Sequence, residues 1–303
     1  MFKLTRRRLL HLTAGPITLP ITSRIAMAQN NPSPPRERPL AERLAAYAHA
    51  LRYDDLDAAT VERSKVHVID TIGCGIGAFE ERAVRVCREI ALAVPGTATV
   101  IGTSRRTTPD LASFANGAAF RFLDFNDTYV GRFAVHPSDT IAACLAVAEA
   151  ERANAQDLMT AIALAYEVNC RLVDSLDIAA RGWDPPVFSL PAVALAAGKL
   201  MKLDPERLTH AVEDPILTAR VGGAVPTRVT AILLDGQRIS REIDHAPGFA
   251  ARPMNRDEIE RKFRGNVGKR WDTDRTDRIL RTLWALDRTD DLPSLLGELA
   301  LPT

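Results

Sequence analysis

Between residues 124 and 139 the chain reads DFNDTYVGRFAVHPSD, a run of carboxylates, an amide, hydroxyls and one imidazole set between alanine-rich segments. Breaking a C–H bond beside a carboxylate needs a general base, and imidazole is the side chain that titrates nearest working pH, so His136 is the candidate proton-transfer group. Asp124 can orient that imidazole or hold a substrate hydroxyl, and Thr128 can donate to a carboxylate oxygen. Asn126, Asp127 and Ser138 share the segment as candidate substrate contacts. Local readings stay open beside these: Asp124 and Asn126 suit the start of a helix, and His136 suits a satisfied histidine beside a proline turn. A calcium or magnesium site at Asp124, Asn126 and Asp127 is weaker, because the run lacks the glycine and the terminal glutamate of an EF-hand loop.

Helices must position these groups. In residues 58 to 72 Val61, Val68, Ile69 and Ile72 recur at spacings that share one helical face. Three further Ala- and Leu-rich runs, 140 to 152, 156 to 173 and 189 to 202, have helix length, and their small residues predict close helix packing. Pro95-Gly96, Arg181-Gly182 and Asp204-Pro205 mark turns. After about residue 214 two β-branched runs flank Asp235-Gly236, a hairpin signal. Two strands alone are marginal in water, and no other strand pair is legible in the second half. Helical texture returns at MNRDEIERKF, with Asn255 and Glu258 in capping-box spacing. The Arg/Asp-rich stretch from 269 to 291 reads as a solvated helix face.

The chain has 303 residues, 46% hydrophobic and 25% charged, which is enough to bury one or two cores. Its 39 basic and 38 acidic residues leave a net charge of +1, so no global field favours nucleic acid or a membrane surface. Cys74, Cys87, Cys144 and Cys170 form no CxxC pair and read as small buried hydrophobes. The first residues differ in kind: TRRRLL, a short apolar stretch interrupted by prolines, and Ala26-Met27-Ala28 resemble a twin-arginine export signal. That stretch is too short to span a bilayer, so no stable membrane insertion is expected. The expected location is periplasmic, with a basic cytoplasmic tail as the alternative.

One competing pattern is Gly73, Gly75 and Ala78, which match G-x-G-x-x-G/A, with Arg105 and Arg106 placed for a 2′-phosphate as in an NADP-binding Rossmann unit. The helical period that runs into Gly73 argues against it, as does the lack of further strand and helix alternation.

The run SFANGAAFRFLDFNDTYVGRFAVHPSDTIAACLAVAEA, with VIDTIGCGIGA, GTATVIGT, AIALAYEVNCRL, RGWDPPVFSLPAVALAAGKLMKLDPERL, VTAILLDGQRISREI and PMNRDEIERKF, resembles the MmgE/PrpD family of 2-methylcitrate dehydratases and cis-aconitate decarboxylases. The resemblance covers roughly residues 40 to 211 and 225 to 265. It implies a cofactor-free lyase, with no metal, that removes water or carbon dioxide from a small polycarboxylic acid, and a homodimer formed through a helical domain. Asp124, Thr128 and His136 match the family's catalytic or substrate-contacting positions.

Two departures stand out against that family. Many relatives place a histidine after Gly-Trp, where this chain has Asp184 after Gly182-Trp183. Members are also roughly half as long again, and the shortfall lies between ERLTHA and VEDPILTARVGGAVPTRVT, where the resemblance expects most of a lid and its carboxylate-binding lysines. The expected fold is therefore mainly α, a helical-bundle domain with a remnant β-hairpin from an α+β lid. The expected segments are a signal over 1–28, a linker over 29–39, a helical domain over 40–211, a lid remnant over 212–252 and returning C-terminal helices over 253–303. A shortened member of this kind leaves two expectations: lyase activity, or an inactive scaffold that binds a carboxylate or a partner.

Overall fold

The computed structural model describes residues 38–176, 184–212, 227–232, 238–243, 253–289 and 291–301, all within one unit spanning 38–303. The signal and most of the linker expected at the N-terminus, the Asp235-Gly236 turn and Gly182-Trp183 lie outside them.

The architecture is mainly α. In chain order the helices are α1 (Leu40–Ala50), α2 (Ala58–Gly77), α3 (Arg82–Ala91), α4 (Pro109–Phe122), α5 (Ile141–Ala150), α6 (Ala155–Ser175), α7 (Ser189–Leu200), α8 (Pro205–Val212), α9 (Arg256–Val267), α10 (Thr273–Trp284) and α11 (Leu292–Glu298). Their starts are written in the sequence. The side chains of Asp57 and Asn154 accept the N–H groups of Thr60 and Asp157 at 2.7 and 2.8 Å, satisfying donors that an α-helix leaves orphaned. The capping box at α9 forms in both directions, with Asn255 Oδ1 accepting from Glu258 N at 2.9 Å and Glu258 Oε2 accepting from Asn255 N at 3.0 Å. The Arg/Asp-rich stretch becomes α10, whose Ile279, Leu280, Leu283 and Trp284 are buried beneath its charged face.

The main core is built on α2. Ile69, Ile72 and Ile76 pack with Leu145 of α5, Leu158 and Ile162 of α6, and Phe263 of α9. Gly73 and Gly75 are interior residues of this helix, and they serve packing: a Cβ on Gly75 would lie 2.5 Å from the Phe120 ring, and one on Gly73 would lie 3.0 Å from that of Phe263. The dinucleotide-binding alternative is overturned here, because both glycines lie inside α2 and, among the described residues, no strand precedes that helix. Arg105 donates to the Leu92 carbonyl and Arg106 pairs with Glu149, so neither waits for a phosphate.

Among the described residues the strands form three two-stranded antiparallel pairs: β1 (Ala98–Thr99) with β2 (Arg106–Thr107), β3 (Tyr129–Val130) with β4 (Ala134–Val135), and β5 (Thr227–Ile232) with β6 (Arg238–Ile243). The last is the expected hairpin, in register from Thr227 opposite Ile243 to Ile232 opposite Arg238. The first two were not legible in the sequence. Two residues carry no periodicity, and β1 depends on tertiary partners: buried Glu149 accepts from Thr99 N and Oγ1 at 2.6 and 2.8 Å, and Asn116 bonds both Ile101 N and Thr99 O.

Candidate functional site

The polar run forms the connection from α4 to α5. Helix α4 ends at Phe122, and Asp124 follows with φ of +49°, a left-handed conformation that aspartate tolerates better than most residues. The chain then makes the β3–β4 hairpin, passes His136 and enters a 3-10 turn over Pro137–Thr140 that leads directly into α5. As the residue before a proline, His136 is held out of the helical region, with φ of −116° and ψ of 89°.

His136 Nδ1 lies 2.5 Å from the backbone oxygen of Asp127. A carbonyl can only accept, so Nδ1 carries a proton, and it is Nε2 that can act as the acceptor. Nε2 is 3.6 Å from Asp124 Oδ1. Arg121, from the last turn of α4, sits 2.5 Å from the same carboxylate oxygen and 3.8 Å from Asp139 Oδ1. These groups line a cleft of about 550 Å³ together with Asp184, Pro185, Pro186 and Ser189. Arg121 is the only lysine or arginine among the described lining residues.

The environments of its carboxylates differ. Asp124 has a side chain 70% exposed, whereas that of Asp139 is 25% exposed. Burial pushes the Asp139 carboxyl up to about 6, against the opposing pull of Arg121 and His136.

Behind the imidazole, Asp127 acts as a clamp. Its Oδ1 accepts from Ser138 N at 3.2 Å and from Ser138 Oγ at 2.5 Å, and its Oδ2 accepts from Tyr166 OH of α6 at 2.8 Å. His67 of α2 stacks on Tyr166 at 4.7 Å between centroids, with Nδ1 3.5 Å from Asp127 Oδ2. Burial lowers the pKa of His67 and raises that of Tyr166, so both favour their neutral forms. Asn126, also buried, donates to Ser138 Oγ at 2.8 Å, and its Oδ1 has no hydrogen-bond partner in the protein.

A second cleft of about 660 Å³ is lined by the 124–128 segment, α2 and α9. Lys262 of α9 ties this wall together: its ammonium is 2.7 Å from buried Asp70 Oδ1, 2.5 Å from the Phe125 carbonyl oxygen and 4.3 Å above the Phe125 ring.

The structure thus divides the sequence candidates. Asp124, His136 and Asp184 share the first cleft. Thr128, Asn126 and Asp127 line the second, which Asp124 also borders. Ser138 is fully buried, with its hydroxyl engaged by Asp127 and Asn126. Sequence reasoning passed over Arg121, Asp139, His67 and Tyr166. Asp139 stood one residue beyond His-Pro-Ser in the motif itself. His67 and Tyr166 lay inside apolar helices, where only the fold turns them toward one carboxylate.

Comparison with known proteins places the arrangement. Residues 42–219 match the MmgE/PrpD N-terminal domain, and residues 207–288 match the MmgE/PrpD C-terminal domain. The chain is 27% identical over 222 residues to the cis-aconitate decarboxylase-like protein oryM of Aspergillus oryzae, an alignment covering 69% of this chain and 44% of that protein. It is 33% identical over 128 residues to 2-methylcitrate dehydratase of Cupriavidus necator, covering 41% and 26% respectively. With the probable 2-methylcitrate dehydratase of Saccharomyces cerevisiae it shares 25% identity over 243 residues, covering 75% and 43%. The chain therefore spans less than half the length of each of these relatives.

Proposed function

Because the chain belongs to the MmgE/PrpD family, we propose that it is a lyase acting on a small hydroxylated or unsaturated polycarboxylic acid, with His136 as the base. The observation that carries this reading is the bond from Nδ1 to the Asp127 carbonyl, which leaves Nε2 free in a cleft shared with Asp124 and Asp184. A carbon acid beside a carboxylate would give its proton to Nε2, while Asp124, 3.6 Å from that atom, holds a substrate hydroxyl and faces the imidazolium once it forms. The family relatives named as dehydratases and as decarboxylase-like support the substrate class.

One observation favours a second reading, a non-catalytic helical scaffold that binds a carboxylate or a partner and does not turn a tricarboxylate over. Arg121 is already engaged by Asp124 and Asp139, and a tricarboxylate needs cations or oriented donors to offset its desolvation. The two readings separate in one experiment on the purified full chain and His136→Ala, offered citrate, 2-methylcitrate and cis-aconitate. Turnover lost in the variant supports the lyase. A raised unfolding midpoint without turnover supports the scaffold, and neither effect refutes both.

A further inference from the structure

We propose that Asp139 is a catalytic acid of the first cleft, the group that protonates the hydroxyl leaving from a β-hydroxy polycarboxylic acid. The proposal rests on the lyase reading above and narrows it. Hydroxide is a poor leaving group, so a dehydratase gains from a proton donor within the cleft that holds its base.

The geometry selects Asp139 from the cleft's carboxyl groups. Its backbone N–H donates to the His136 carbonyl oxygen at 3.0 Å, so the carboxyl and the imidazole stand on one rigid turn. Both line the same cleft. Asp124 is largely exposed and 2.5 Å from a guanidinium nitrogen, and Asp184 is exposed. Asp139 is the sheltered one, 3.8 Å from Arg121 Nε. The charged and titratable groups facing it are Arg121 from α4, and His136 and Asp127 from the loop, with the Asn126 amide at 3.5 Å. His67 from α2 and Tyr166 from α6 reach Asp127. Burial outweighs the cationic pull, and the resulting rise to about 6 keeps a usable neutral fraction near working pH.

The step balances. His136 Nε2 takes the proton from the carbon beside a carboxylate, and the C–H electron pair becomes the π bond of the new double bond. The C–O bond breaks with its pair on oxygen, which takes the Asp139 proton and leaves as water. The imidazolium then returns one proton to the Asp139 carboxylate, leaving unsaturated acid and water as the net products.

The test uses the full chain with citrate and 2-methylcitrate as β-hydroxy acids, and cis-aconitate as the substrate that can lose only carbon dioxide. The expected result is water loss from a β-hydroxy acid, with kcat/KM falling as pH rises through about 6 as the Asp139 acid ionises. Asp139→Asn should lower kcat by about 100-fold or more, with KM little changed and that alkaline limb gone. Asp139→Glu should restore part of the rate and move the limb. If the asparagine variant fails to fold, the glutamate variant decides, and an unmoved limb overturns the proposal. A normal kcat or an unchanged limb in Asp139→Asn overturns it while the lyase stands. So does a wild-type chain that decarboxylates cis-aconitate and leaves the β-hydroxy acids untouched. No turnover of any acid overturns both.

Discussion

The Nδ1 atom of His136 is 2.5 Å from the main-chain oxygen of Asp127, while the Asp127 carboxylate is held by three donors from Ser138 and Tyr166. The side chain of one residue thus fixes the backbone that fixes the tautomer of another. Tyr166→Phe removes one hydrogen bond to the Asp127 side chain and should cost about 1–3 kcal/mol in urea unfolding. Asp127→Ala should cost more, since it strands Ser138 and Tyr166 donors together.

Asp139 should make folding depend on pH in an unusual direction. Its folded-state pKa of about 6 is above the ordinary 3.8, so the native chain binds more protons than the unfolded one between those values. Stability therefore falls as pH rises through that window. Asp139→Asn should raise the stability at pH 8 by up to about 3 kcal/mol relative to wild type and leave it nearly unchanged at pH 3. Denaturant midpoints at the two values check both the sign and the window.

Lys262 and Asp70 are a buried pair at 2.7 Å, with side chains 13% and 4% exposed. Lys262→Met leaves the carboxylate uncompensated and should cost about 3–5 kcal/mol at neutral pH. Burial already raises the Asp70 pKa, so the cost should shrink on acidification as the carboxyl takes a proton. Asp70→Asn added to Lys262→Met should recover much of the loss at pH 7, and a chemical denaturation series on the three chains measures it.

Two helical glycines should respond oppositely to alanine. At Gly75 the new methyl would meet the Phe120 ring at 2.5 Å in the core, and overpacking there should cost about 1–3 kcal/mol. At Gly265 of α9 a Cβ would meet nothing within 4 Å, and the better helix former should add about 0.5–1 kcal/mol. Thermal melts of the two variants check the pair.

The sequence by itself determined the helices and the family. Hydrophobic period, caps such as Asn255 with Glu258, and turn residues act over a few positions, so they are readable in one dimension. The motif around His136 was legible for the same reason, since its residues lie on one short connection. Tertiary structure decided how that motif is shared out. His136 and Asp184 line one cleft, Thr128 and Asp127 line another, and Asp124 borders both. Packing also decided which polar groups work together. His67 and Tyr166 are about a hundred residues apart, yet both meet Asp127. Burial, a property of the folded chain, sets Asp139 apart from the exposed Asp124 and raises its carboxyl.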